Sequence, residues 1–222
     1  MDWTALSLSL QLAALTALLL LPVSVLGGRW LAWSDFRGKG LVEALVMLPL
    51  VLPPTVLGFY LLVGMGADSP LGRAWTALTG GGLVFSFHGL LLACVLVNIP
   101  FAVMPAQRAF EAIPTEVRDA ARCCGMSPWR ALWRVELPLA WPGVLTAAVL
   151  SFAHTLGEFG VVLMVGGSIP GETRTVAIAI YDRVQAFDMA AAGTMSAVLV
   201  LVSVTTIALT FALSRRAGRR LR

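Results

Sequence analysis

Charged residues are distributed along this chain as islands between long apolar runs. Five stretches contain no Asp, Glu, Lys or Arg: 5–26, 44–67, 83–107, 137–157 and 189–214. A helix needs about 20 apolar residues to cross a hydrocarbon core of about 30 Å, and each run is long enough. Backbone groups in lipid must be paired within their own segment, so helices are the expected form. The alternation of polar and apolar positions that membrane β-strands need is absent. The pattern predicts an all-α polytopic membrane protein, a single domain over 1–222 with about five transmembrane helices at 5–27, 44–67, 83–107, 137–158 and 189–214. The first run has no Lys or Arg before it, and no small-x-small cleavage site precedes Gly27-Gly28, where a loop is expected, so it reads as a retained helix. A further stretch, 159–181, is nearly free of charge. It admits a sixth or re-entrant span, or a segment lying on the outer surface.

Composition removes the other classes. Hydrophobic residues are 58% of the chain, charged residues 13%, and mean hydropathy is +0.85. A soluble globule carries about 25% charged residues, and a disordered chain is poor in apolar ones. Three cysteines are too few for a disulfide scaffold of this length. Basic residues sort to one side: Arg29, Arg37 and Lys39 in the first loop, Arg108, Arg118, Arg122, Arg130 and Arg134 in the third, and Arg215, Arg216, Arg219, Arg220 and Arg222 in the tail. Only Arg73, Arg174 and Arg183 fall opposite. The positive-inside rule then predicts an outer N-terminus and a cytoplasmic C-terminus. It also accounts for the net charge of +4 without a nucleic-acid partner. The seven tryptophans (3, 30, 33, 75, 129, 133 and 141) fall near the ends of the runs, where interfacial anchors belong.

The third loop is punctuated in a way a plain connector is not. Pro114 precedes a helical run from Thr115 to Cys124, Gly125 can take the positive φ that stops a helix, and Ser127-Pro128 restarts one towards Glu136. Pro138 and Pro142 are expected to separate that helix from the next span. Ala120 and Ala121 leave a bare patch on this helix–turn–helix, which suits a docking surface. An amphipathic helix that meets only lipid head groups is the alternative.

The spacing Asp119-Ala120-Ala121-x3-Gly125-x9-Val135-x-Leu137-Pro138 resembles the EAA loop of ABC-importer permeases, with Asp for Glu at 119 and Val for Ile at 135. The resemblance implies that 111–138 forms coupling helices seated in a cleft of an ATP-binding subunit. Leu48 to Gly58, Phe152 to Gly160 and Gly166 to Thr175 are similar to molybdate permeases, and His154 and Ser168 stand where that subfamily would have Arg and Asn. Sulfate/thiosulfate and tungstate permeases share much of the pattern. The resemblance implies a membrane subunit of an oxyanion importer in a bacterial inner membrane, molybdate before the other anions. It would work as a homodimer with two ATP-binding subunits and a periplasmic or surface oxyanion-binding protein. No cofactor is implied.

Candidate chemistry is sparse. There is no G-x-x-x-x-G-K-[ST] phosphate loop, so ATP hydrolysis is expected in a partner and the chain is not expected to be an enzyme. Pro49, Pro53 and Pro54 remove three donors from the second span, which must kink or open there; a packed bend and a pore lining are equally open. Thr55, Asn98 and Ser151 can face a pore or bridge helices. Glu158 ends an apolar run with His154 one turn before it. A carboxylate would repel an oxyanion, so Glu158 reads as a gate or a helix lock. Pro53, Pro54, Thr55, His154, Glu158 and Ser168 are therefore the pathway or gate candidates, and 166–175 reads as a turn-rich outer loop touching the binding protein or a gate. Cys123-Cys124 lacks the partners of a metal site. An ion-driven carrier would place ionisable residues in mid-span, and a haem or quinone anchor would need more than His88 and His154.

Overall fold

The computed structural model describes residues 1–220, with side-chain surroundings for all of these except 209–211 and 213–220. Of the tail arginines, Arg222 lies outside the described residues, and the side chains of Arg215, Arg216, Arg219 and Arg220 lie outside those described. The helices in chain order are α1 (Trp3–Trp33), α2 (Lys39–Val51), α3 (Pro54–Met65), α4 (Pro70–Thr79), α5 (Phe87–Glu111), α6 (Thr115–Cys123), α7 (Pro128–Ala131), α8 (Leu137–Gly157), α9 (Gly160–Gly166), α10 (Val176–Gln185) and α11 (Met189–Arg220). The protein is all-α, with no strand among the described residues. Among the described residues, four helices are long and apolar enough to cross a membrane, or five if α2 and α3 count as one broken span.

α1, α5 and α8 form the centre of the bundle. α1 starts on Asp2, whose carboxylate accepts the Ala5 N–H at 2.9 Å. Its buried stripe repeats at nearly every fourth residue, through Leu8, Leu12, Thr16, Leu20, Ser24 and Gly28 to Leu31, as one helix face must. The helix does not stop at Gly27-Gly28. A Cβ on Gly28 would lie 2.8 Å from the Gln107 nitrogen and 2.9 Å from Ala106, so this glycine serves the approach of α1 to α5 and not a turn. α1 therefore continues to Trp33 and carries Arg29 beyond the apolar run.

The second apolar run is two helices. α2 ends at Val51, Leu52 and Pro53 are extended, and α3 leaves at 107° to α2. Between 158 and 175 the chain has no helix long enough to cross again, and its turn at 169–172 is exposed. It folds back as α9, seven residues and too short to span, whose Val161, Val162 and Val165 are fully buried against α3 and α5. α10 closes that end of the bundle, with the Ser9 hydroxyl of α1 accepting the Val176 N–H at 2.8 Å.

At the opposite end, α7 and α8 are one continuous rod from Pro128 to Gly157, joined by a π-helical turn at Leu132–Glu136. Pro138 and Pro142 do not divide it. Pro138 lacks an N–H and its ring crowds the carbonyl four residues back; the widened turn, closed by the Leu137 N–H on the Leu132 carbonyl, takes up the mismatch.

Gly143 marks the crossing of α8 with α5, where a Cβ would collide with Ala109 and the Pro105 carbonyl. Gly143→Val should lower the thermal unfolding midpoint of the purified protein, by overpacking worth about 1–3 kcal/mol or more. Gly27→Ala, whose Cβ would sit at an ordinary 3.7 Å from Val103 inside a helix, should leave it no lower than the parent's. Equal midpoints for both variants would contradict the crossing.

Candidate functional site: the α6 elbow and the broken span

α6 is built as an exposed helix with one inward edge. Ala121 is buried and Val117 packs beside Ile113 and Leu132, while Asp119 and Ala120 are exposed. The bare patch is thus Ala120 alone. Gly125 takes φ +70, and two bonds close the helix end: Gly125 N–H to the Arg122 carbonyl at 2.9 Å, and Met126 N–H to the Ala121 carbonyl at 3.2 Å. This is the glycine-dependent Schellman stop. Ser127 then caps α7, its hydroxyl accepting the Arg130 N–H, with Pro128 at the first helical position. Nothing lies within 4 Å of a Cβ on Gly125, so backbone conformation is what requires glycine there, not internal crowding. Val135, Leu137 and Pro138 are half-buried in the rod.

The elbow is fixed to the end of α1 by contacts between residues far apart in the sequence. Arg29 pairs with the buried Glu136 through two nitrogens, Nε to Oε2 at 2.6 Å and Nη2 to Oε1 at 3.4 Å. The Arg118 guanidinium lies 3.7 Å from the centre of the Trp33 ring, with Arg29 at 5.0 Å from the same ring. Trp33 in turn meets Phe110 of α5 edge-on at 5.5 Å. Burial pulls the Arg118 pKa below its ordinary value, helped by Arg122 and opposed by Glu136. Arg122 pairs instead with exposed Asp119 at 3.2 Å. Arg29, Trp33, Arg118, Arg122 and Glu136 line a pocket of about 290 Å³. A second tie holds α2: buried Gln107 donates to Glu43 and to Glu111, both at 2.9 Å. Sequence reasoning missed the roles of Arg29, Glu136, Glu43 and Gln107, and placed Arg118 only among the basic residues of the loop; stacking on Trp33 engages it within the chain. An acid at the membrane edge of a basic loop is the one available signal for Glu136.

At the break of the second span, Pro53, Pro54 and Thr55 are exposed. Gly160 of α9 packs on Pro54, and Gly58 of α3 packs on Met164 and Val161, so α3 and α9 meet through glycines. Glu158, 7% exposed, accepts the Val161 N–H at 3.0 Å and so caps α9. His154 Nε2 is 3.9 Å from Glu158 Oε2, and its ring stacks on Phe101 at 4.1 Å. Pro54, His154 and Glu158 thus gather around the start of α9. Ser168 does not join them: its hydroxyl donates to Asp182 at 3.0 Å and accepts from Arg174 at 3.1 Å. Thr173 pins the same loop, donating to the Gly166 carbonyl and accepting the Ile169 N–H. Of the hydroxyl and amide candidates, Asn98 bridges helices, donating to the Cys94 carbonyl at 2.8 Å and to Thr155 at 3.1 Å.

Residues 9–222 match the family described as binding-protein-dependent transport system inner membrane component. The chain is 50% identical over 202 residues to the molybdenum transport system permease protein ModB of Azotobacter vinelandii, covering 91% of this chain and 89% of that one. To the sulfate transport system permease protein CysW of Synechocystis it is 32% identical over 214 residues, 95% of this chain and 77% of that one. A bacterial ABC transporter described as importing the acidic polysaccharide alginate shares the fold at a TM-score of 0.77 and 15% identity, covering 96% of this chain and 78% of that one.

This geometry carries two expected outcomes. Glu136→Gln should destabilise the fold by roughly 3 kcal/mol, because it leaves the Arg29 charge without its partner in a part-buried site, and the charge-swapped pair Arg29→Glu/Glu136→Arg should recover part of the loss; thermal unfolding of the three variants reads it. Glu158→Gln keeps a capping oxygen and should fold and transport nearly as the parent does, whereas Glu158→Ala loses the cap, worth about 1 kcal/mol. A Gln variant as impaired as the Ala variant would show that the negative charge itself is needed.

Proposed function

The chain belongs to the binding-protein-dependent transport system inner membrane component family, and from that premise we propose that it is the membrane subunit of an ABC importer for molybdate. The observation that carries this reading is an exposed helical elbow fused to a membrane rod and stitched to a second span. In this reading residues 111–138 face the cytoplasm, with the N-terminus outside and the C-terminus inside, as the arginine distribution favours. Asp119, Ala120 and Gly125 meet the ATP-binding subunit. Ala121, Val135, Leu137 and Pro138 hold the elbow to the rod.

The chain carries no phosphate loop, so ATP is hydrolysed by two copies of a partner, and two copies of this chain enclose the pathway. A periplasmic or surface protein delivers the anion to the end formed by α10 and the 166–175 loop. Closure of the ATP-bound partners displaces α6. Because Arg118 rests on Trp33 and Glu136 grips Arg29, α1 must follow; because α7 and α8 are one rod, α8 follows too. The α3–α9 pair, joined through Gly58, Gly160 and Pro54, follows the end of α8 away from the elbow and serves as the gate, with Thr55 at its break. Glu158 and His154 lock α9 and do not bind the substrate.

Molybdate is favoured over sulfate because the molybdenum-transport relative matches at 50% identity and the sulfate-transport relative at 32%. The test is ATPase stimulation of the reconstituted complex by its binding protein loaded with molybdate, tungstate or sulfate. Molybdate should stimulate most, and a sulfate preference would overturn the substrate. Gly125→Asp separates docking from folding. Its left-handed φ makes any side chain cost on the order of 1 kcal/mol, so Gly125→Ala should still insert and transport at a reduced rate, while Gly125→Asp should insert and lose both transport and co-purification of the ATPase. Parent-level uptake by Gly125→Asp at normal expression would remove the docking role.

A further inference from the structure

Two hollows succeed one another along the α6 end of α1. The first is the arginine pocket beside Trp33. The second, about 340 Å³, is lined by α1 up to Leu26, three residues before the lining of the first begins at Arg29, and by the tryptophans 129, 133 and 141 of the α7–α8 rod, and its walls are apolar throughout. Leu26, Trp30 and Trp33 lie at i, i+4 and i+7 on one helix face, so the surface passes from carbon-lined to cationic within two turns. Trp129, Trp133 and Trp141 are 61%, 62% and 43% exposed. Indoles so exposed around an apolar hollow belong at head-group depth, where a ring can be half in hydrocarbon and half in water.

The charges in the first hollow do not close. Arg29 is paired with Glu136, and Arg122 with Asp119. Arg118 has no ion pair among the described residues, and its buried Nε has no hydrogen-bond partner. Its stacking on Trp33 removes water from one face without supplying an anion. A carboxylate from a protein partner would answer Arg118 but leave the apolar hollow unfilled. A free phosphate would do the same. A phospholipid offers a phosphate and an acyl chain on one molecule, in the order in which the two hollows occur.

We propose that this junction binds one anionic phospholipid, with its phosphate against Arg118 and an acyl chain in the tryptophan-lined hollow. The bound lipid braces α6 and the rod against α1. The site depends only on this end of the bundle lying at a membrane interface, so it does not stand or fall with the anion transported.

The complex, reconstituted in nanodiscs of phosphatidylcholine and phosphatidylglycerol, is probed by native mass spectrometry for lipid that stays bound. Phosphatidylglycerol should be retained over phosphatidylcholine by roughly fivefold, the preference expected from one cation at a membrane surface. Arg118→Gln should abolish the preference while lipid is still retained, and Trp133→Ala should lower retention of both lipids alike. Equal retention by the parent, or an undiminished preference in Arg118→Gln, overturns the site. Displacement by inorganic phosphate alone would make it a small-anion pocket and overturn the lipid. Loss of the preference whenever the ATP-binding subunit is bound would assign Arg118 to a protein carboxylate and overturn it as well. If Arg118→Gln fails to assemble, the parent's lipid preference and its competition with phosphate still decide.

Discussion

A backbone N–H or C=O left unpaired in hydrocarbon costs several kcal/mol, and each irregular feature of this protein is arranged around that cost. Where the second span breaks, prolines occupy positions 53 and 54 and bring no donors to be orphaned. The Leu52 N–H reaches the Leu48 carbonyl, and the Pro53 carbonyl accepts from Val56 and Leu57. Where α8 ends and the chain turns back, the Glu158 carboxylate takes the Val161 N–H and the Phe159 carbonyl takes that of Leu163. The two breaks then cover each other, since α9 packs on α3 through Gly58, Gly160 and Pro54. A seven-residue helix is marginal by itself. It persists here because three of its valines are fully buried in the bundle.

The same demand shapes the rod. Pro138 would normally end a helix, and ending it would uncouple the elbow from the membrane span. The π-helical turn keeps the backbone paired through that position, so α7 and α8 stay mechanically continuous. Arginine suits the joints at either side of it. A guanidinium can grip a carboxylate through two nitrogens, as Arg29 does with Glu136, and can lie flat on an indole, as Arg118 does on Trp33; a lysine ammonium can do neither with the same geometry. A helix held at one point can pivot. α6 is held through Ala121 and Val117, through Arg118 and through the Schellman turn, so in the proposed mechanism displacement of the elbow would be passed to α1 and α8 together.

The features legible in the sequence are those set by local chemistry. Charge-free runs of sufficient length mark the long helices, Pro53-Pro54 marks the break, and Gly125 with Ser127-Pro128 after it marks the elbow. The misses share one cause: a residue whose role is set by a distant neighbour looks the same as one whose role is local. Gly28 reads as a turn until Gln107 is placed against it. Pro138 reads as a boundary until the turn before it is seen to widen. Ala121 reads as part of an open patch, although the helix phase turns it inward. Arg29 and Glu136 are 107 residues apart, and no spacing rule joins them. Asn98 stays open between pore and bridge because either use suits an amide in a membrane helix, and only its bond to Thr155 decides for the bridge.

The chemistry around the α3–α9 junction bears on how an oxyanion could be passed and not held. Where the resemblance to molybdate permeases implies an arginine, this chain has His154, stacked on Phe101 and turned to Glu158. A permanent cation there would favour a dianion strongly in low dielectric and slow its release. Glu158 would repel the anion if it faced the path, yet its carboxylate is buried and spent on the α9 backbone and on His154. What the break leaves exposed is Thr55, a neutral hydroxyl. In the proposed reading such a surface would solvate an oxyanion without trapping it, leaving discrimination between tetrahedral dianions to the protein proposed to deliver the substrate. On that proposal the membrane subunit would need to be selective only in time, opening when the elbow moves.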